Sequence, residues 1–323
     1  KESTRSMWWI VLLLAAALPW VFLNLFPGKI LDFLLRLGYT GAGLEEARTH
    51  VSGSGGGWEA SYLSSKLPRG TKPVVLLIHG FSGNKEGWSK FVKELNSAVH
   101  VVALDLPGHG KSSDCQDVRL DIPEMASRVH AFAAAVGIGA SHGAPFHVVG
   151  TSLGGNIAGF YASTYKDDVK SATLICPGGL DAVMTPALKG IFDGDRNGLI
   201  VTSVEEFDAR SKILMYKGIS IPLPFKKVLV ERSRQNAAQL HRIWDAIIKP
   251  PRLQERLQHI GVPVLVIWGK DDQLLDKAGA AAIKGVIPAA RVELLEECGH
   301  IVAMEQPKLT ASSFLDFIKD IAH

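Results

Sequence analysis

Cysteine is scarce in this chain: of 323 residues only Cys115, Cys176 and Cys298 carry a thiol. An odd count with no pairing pattern excludes a disulfide-stapled secreted fold. None of the three stands in a C-x-x-C spacing or in a nucleophile motif, so no metal site, no cofactor and no thiol catalysis is expected, and they read as small buried or loop residues. A charge excess of one sign is also missing. Lys and Arg number 35 against 32 Asp and Glu, a net charge of +3, which gives no electrostatic reason to expect a nucleic-acid partner. No internal repeat is visible. With 47% apolar and 21% charged residues, the composition excludes a disordered chain. It allows a large core, in one α/β domain with an insertion or in two smaller domains.

The long apolar run stands near the beginning. Met7 to Phe26 reads MWWIVLLLAAALPWVFLNLF, without a charge. As a helix it would span about 30 Å, the thickness of a bilayer's hydrocarbon core. Trp8, Trp9 and Trp20 suit interfacial depths, and Pro19 is tolerable in a membrane span. Residues 7–26 are therefore expected to be a retained transmembrane anchor; a cleaved signal peptide would have a shorter apolar region ending in small residues. Residues 29–38, KILDFLLRLG, are expected to be an amphipathic segment lying in the interface. Lys1 and Arg5 on one side balance Lys29 and Arg36 on the other, so charge does not orient the anchor; the cytoplasmic side is the expected face. Val51 to Gly57, VSGSGGG, reads either as a flexible linker or as a turn between two early strands.

From residue 73 the pattern becomes regular. Val74–His79, Val99–Leu104, Phe146–Val149, Ala172–Cys176, Val264–Trp268 and Val292–Leu295 are short unbroken apolar runs. Runs apolar on both faces indicate buried strands of a parallel sheet. Helical segments such as Glu124–Val136 and Asn156–Tyr165 lie between them, which predicts a doubly wound α/β fold. The stretch from Cys176 to Val264 is far longer than one crossover helix requires. It is expected to hold an inserted helical cap at 181–256, over a core formed by 48–180 and 257–323. Between Glu205 and Arg256 stand eleven Lys or Arg against six Asp or Glu. A basic cap with apolar segments such as Ile219–Phe225 suits anionic lipid; a solvated helical surface is the other reading.

Gly150-Thr151-Ser152-Leu153-Gly154 is a G-x-S-x-G pentapeptide, a weak signal alone. Here FHVV supplies a strand directly before it and NIAGFYAST a helix directly after. That context marks a sharp strand-to-helix turn carrying an exposed nucleophile, Ser152. A serine hydroxyl needs a base. Among the eleven histidines, His300 follows a late strand in VELLEECGH, where loops leave the carboxyl edge of the sheet. The acid should precede it, and VLVIWGKDDQLLD offers Asp272 in that place. Asp271 reads as a turn residue, and Asp276 is a weaker candidate. The oxyanion donors are expected to be the N–H of Leu153 and the N–H of Phe81 in the loop after Val74–His79. His79 reads as a structural hydrogen-bonder beneath that loop, and His109 as a turn residue.

HGFSGNKEGW, DLPGHG, FHVVGTSLGG, CPGGL, VIWGKDDQLLD and VELLEECGHIVAMEQP together resemble the membrane-anchored monoacylglycerol lipases of the α/β-hydrolase superfamily and related bacterial lipases. The resemblance runs over nearly the whole chain and is loose in the cap. It implies an α/β-hydrolase fold with the cap between strands 6 and 7. It also implies Ser152, Asp272 and His300 as triad, Phe81 and Leu153 as oxyanion donors, and a lipid ester substrate met at a membrane surface. A carbon–carbon bond hydrolase shares the same triad. A ligand-binding protein on a retired scaffold is disfavoured because all three triad positions are occupied.

Overall fold

Eight strands line up in one sheet in the order β1-β2-β4-β3-β5-β6-β7-β8. They are β1 Leu44–Val51, β2 Trp58–Ser65, β3 Val74–Ile78, β4 His100–Leu104, β5 Phe146–Thr151, β6 Val169–Ile175, β7 Val264–Gly269 and β8 Arg291–Leu295. The computed structural model describes residues 21–53, 56–67, 69–115, 117–181, 184–194 and 198–321. β3 to β8 are mutually parallel, whereas β2 pairs antiparallel with both β1 and β4. β3 and β7 are apolar and buried along their length, as strands covered on both faces must be, and β5 is buried up to Thr151 with His147 as its one buried polar residue.

The early chain departs from expectation. β1 starts at Leu44, so the sheet begins before residue 48, where the core was expected to start. β1 and β2, on either side of VSGSGGG, pair antiparallel with Val51 opposite Trp58, as the reading of a turn between two early strands expects. Ahead of it, α1 (Pro27–Gly41) is longer than the expected segment 29–38 and buries only Tyr39. Residues 7–20 of the expected anchor lie outside the described residues. Among the described residues no helix is long and apolar enough to cross a membrane.

The core helices are α2 (Ser89–Glu94), α3 (Ile122–Ala135), α4 (Leu153–Thr164), α10 (Ala278–Val286), α11 (Val302–Glu305) and α12 (Pro307–Asp320). Asp121 caps α3 by accepting from the Glu124 N–H at 3.1 Å, and Pro123 supplies the fixed φ suited to a first turn. α3 packs on α4, and α2 packs on α12. Between β6 and β7 the chain inserts α5 (Pro186–Asp193), α6 (Val204–Leu214), α7 (Leu223–Gln235), α8 (Ala237–Ile247) and α9 (Leu253–Arg256). α7 packs against α1, and Arg232 pairs with Asp32 at 2.7 Å across that contact.

Candidate active site

β5 ends at Thr151 and α4 starts at Leu153, so Ser152 alone makes the turn. It does so at φ 56° and ψ −118°, a conformation costly for a residue that carries a Cβ. The surroundings hold it there. Its N–H donates to the Ile175 carbonyl at 2.9 Å, and its own carbonyl accepts from Asn156 N–H and Gly178 N–H, both at 3.0 Å. The flanking glycines follow from contact: a Cβ on Gly154 would overlap the carbonyls of Ile78 and His79, and one on Gly150 would overlap that of Gly154. Ser152 is half-buried.

Two backbone segments adjoin Ser152, the start of α4 and the loop after β3. Leu153 is the first residue of α4, so its N–H has no intrahelical acceptor and lies at the positive end of the helix dipole. The loop after β3 presses against the nucleophile, since a Cβ on Gly80 would sit 3.1 Å from the Ser152 Cβ. Buried His79 fixes that loop: its Nδ1–H donates to the Gly80 carbonyl at 2.8 Å, and its Nε2 accepts from the Leu106 N–H at 3.0 Å. Accepting at Nε2 sets the tautomer, and burial lowers the ring's pKa, so it stays neutral. Phe81 then packs its ring at a tilt against Trp244 and edge-on against His109, at centroid distances of 5.4 and 6.0 Å. His109 donates from Nδ1 to the Pro107 carbonyl at 3.1 Å, and burial drives its pKa to about 3.

His300 follows β8 and Asp272 follows β7, so both reach the same sheet edge as Ser152. His300 Nδ1 lies 2.7 Å from Asp272 Oδ2, and both side chains are buried. The other Asp272 oxygen accepts from the N–H groups of Leu274 and Leu275 at 2.9 and 3.0 Å. This carboxylate is therefore aimed at the ring by its own turn. The rival acids face elsewhere: Asp271 bonds with the Cys298 backbone, and Asp276 accepts from the Ala278 N–H at 2.8 Å. His300 Nε2 is buried without a hydrogen-bond partner among the described residues, so the bond expected between it and Ser152 Oγ is not made here. Such bonds are often long in an unliganded site and tighten around substrate.

Three neighbours of this group gave no signal in the sequence reading. Glu305 accepts from Gly299 N–H at 3.1 Å and from Tyr216 N–H at 2.7 Å. The Leu214 carbonyl accepts from the N–H groups of His300 and Ile301 at 2.9 and 3.1 Å. The inserted helices are thus strapped to the histidine loop. The acid in VAMEQP, just after that loop, was the available hint. Cys176 lies within 4.8 Å of ligand atoms on both Asp272 and His300. Burial and the Asp272 charge hold its thiol well above its usual pKa, and a protonated thiol is a poor ligand. It floors the carboxylate.

Ser152 opens into a cavity of about 430 Å³, walled by Phe81, Leu188, Phe192, Trp244, Ile248 and Trp268. The walls are mostly apolar and aromatic, with Asn156, Asp181, Arg252 and Asp276 as polar members, and the volume suits a small-molecule site of roughly 300–1,000 Å³.

A family model described as the alpha/beta hydrolase fold matches residues 73–307, which takes in Ser152, Asp272, His300 and the residues lining the cavity. The chain belongs to the α/β-hydrolase fold family. Within that family it is 36% identical over 262 residues to the monoacylglycerol lipase ABHD6 of Rattus norvegicus, covering 78% of this chain and 77% of that protein. It is 34% identical over 276 residues to monoacylglycerol lipase abhd6-A of Xenopus laevis, covering 82% and 81%. Among solved structures of α/β-hydrolases it resembles a bacterial membrane phospholipase A, at 31% identity and a TM-score of 0.84 over 99% of both chains.

Proposed function

We propose that this α/β-hydrolase is a carboxylic ester hydrolase that cleaves monoacylglycerols to fatty acid and glycerol at a membrane surface, using Ser152, His300 and Asp272. The observation that carries the reading is the strained Ser152 opening on an apolar cavity of about 430 Å³. It shares the carboxyl edge of the sheet with a buried His300 held 2.7 Å from Asp272.

In this reading the acyl chain lies along the aromatic wall. Ser152 Oγ attacks the ester carbonyl while His300 Nε2 takes the hydroxyl proton, and Asp272 offsets the imidazolium charge. The carbonyl oxygen becomes an oxyanion that accepts from the N–H groups of Leu153 and Phe81, each worth a few kcal/mol in the transition state. Collapse expels the alcohol, which takes the proton from His300. Water then repeats the sequence on the acyl-enzyme and releases the fatty acid. A binding protein would not need a nucleophile held in a strained turn.

Exposed Phe33, Leu34 and Leu37 on α1, together with Leu223 at the start of α7, give the protein an apolar face for lipid. A second reading, acyl hydrolysis of phospholipids, is favoured by the likeness to the membrane phospholipase A, which runs over 99% of both chains. Fatty-acid release from monoolein and from dioleoyl phosphatidylcholine, by the wild type and Ser152→Ala in mild detergent, tests both. Faster release from monoolein that vanishes in the variant is expected. Faster release from the phospholipid moves the assignment to the second reading, and release that survives in Ser152→Ala overturns both.

A further inference from the structure

Asn156 stands one helical turn beyond the nucleophile on α4, 3% exposed, and borders the cavity that opens on Ser152. Its Oδ1 is buried without a hydrogen-bond partner among the described residues. Native interiors seldom leave such an acceptor empty without a role for it. Arg252 borders the same cavity. Its Nε is also buried and unpartnered among the described residues, although its Nη1 pairs with Asp181 at 3.0 Å.

Between these two groups runs the Gly178-Gly179 loop, tied to the nucleophile by the bond from Gly178 N–H to the Ser152 carbonyl. A Cβ on Gly179 would overlap Asn156 Nδ2 and lie 3.0 Å from Leu253 N. Bare backbone here, at φ 79°, lets the loop pack directly against the Asn156 amide. The result is an acceptor and a donor, both without a partner among the described residues, on two residues that border the cavity opening on Ser152, which Asp181 and Asp276 also line.

We propose that Asn156 and Arg252 form a polar subsite for the alcohol portion of the ester, Asn156 Oδ1 accepting from one free hydroxyl and Arg252 Nε donating to its neighbour. This rests on the ester-hydrolase reading above and deepens it. An acyl chain offers no donor, and neither does a methyl ester or the fully esterified glycerol of a phosphocholine lipid. A monoacylglycerol offers a hydroxyl that both gives and accepts. The subsite thus selects glycerol monoesters over esters of the same acid that lack free hydroxyls, because an unfilled buried pair penalises the substrate that cannot fill it.

The experiment compares kcat/KM on monoolein and methyl oleate for wild type, Asn156→Leu and Arg252→Met, with cooperative unfolding checked for each. Wild type prefers monoolein, and each substitution narrows that preference about tenfold, the worth of one hydrogen bond near 1.4 kcal/mol. If Asn156→Leu does not fold, Arg252→Met, at a partly exposed side chain, reads the same ratio. Equal losses on both esters would make the two residues structural and overturn the subsite. So would a wild type with no preference for monoolein, which leaves the ester-hydrolase reading intact. A folded wild type inactive on every ester removes that reading and the subsite together.

Discussion

At the scale of single residues, chemistry that depends on local context was legible and chemistry that depends on distant partners was not. Ser152 announced itself because a nucleophile between a strand and a helix needs glycines on both sides. Asp272 and His300 followed from their places after two late strands. Lys85 shows the opposite case. In GNKEGW it looks like a solvated turn residue, yet its side chain is fully buried. Its ammonium lies 2.7 Å from Asp105 and 3.1 Å from Glu46 and Glu86. Burial alone would lower its pKa, but Asp105 and Glu86 outweigh this and raise it. Asp105 also accepts from the backbone N–H groups of Lys85 and Lys111 at 2.7 and 2.9 Å. The cluster ties β1, the end of β4 and the turn after the β3 loop together. Lys85→Met would leave Asp105 charged and uncompensated, and should cost about 3–5 kcal/mol in urea unfolding. A loss below about 1 kcal/mol would mean the pair barely offsets its own desolvation.

At the scale of elements, the parallel strands were readable because burial on both faces demands unbroken apolar runs. β1 was not: LEEARTHV carries few apolar residues, with its ends buried and its middle partly exposed, as an edge strand open to water can be. Helix α1 was readable as amphipathic, but its length and its seat on α7 were not, since both depend on partners far along the chain. Its outer face keeps Phe33, Leu34 and Leu37 exposed by 59, 46 and 51%. Replacing all three by Ser should therefore leave the unfolding free energy within about 0.5 kcal/mol of wild type. Co-sedimentation with phosphatidylcholine vesicles should fall several-fold. Unchanged sedimentation would place the lipid-binding surface elsewhere.

At the scale of the whole molecule, the inserted segment was visible as excess length, but its anchorage to the histidine loop runs through backbone groups of Leu214 and Tyr216 that carry no side-chain signature. Acid sensitivity is likewise a property of the folded whole. Burial lowers the pKa of His79, carries that of His109 to about 3, and carries that of His147 to about 4. The native state therefore refuses protons that the unfolded chain accepts below about pH 6.5. Stability is full above that pH and declines as pH falls toward the folded values. Each histidine contributes a slope of about 1.4 kcal/mol per pH unit. The urea midpoint should drop steeply between about pH 6.5 and 4.5, and His147→Gln should flatten part of that slope. A midpoint constant over this range would contradict neutral burial of these rings.

The central claim is that Ser152 is the atom through which an acyl group passes. Mass spectrometry of peptides from the protein quenched in acid during turnover of a p-nitrophenyl ester tests it most directly. The account predicts an acyl adduct on the peptide carrying Ser152, more abundant in His300→Gln if deacylation slows more than acylation, and absent in Ser152→Ala. Ester turnover with an adduct on another residue, or with Ser152→Ala as active as wild type, would contradict it.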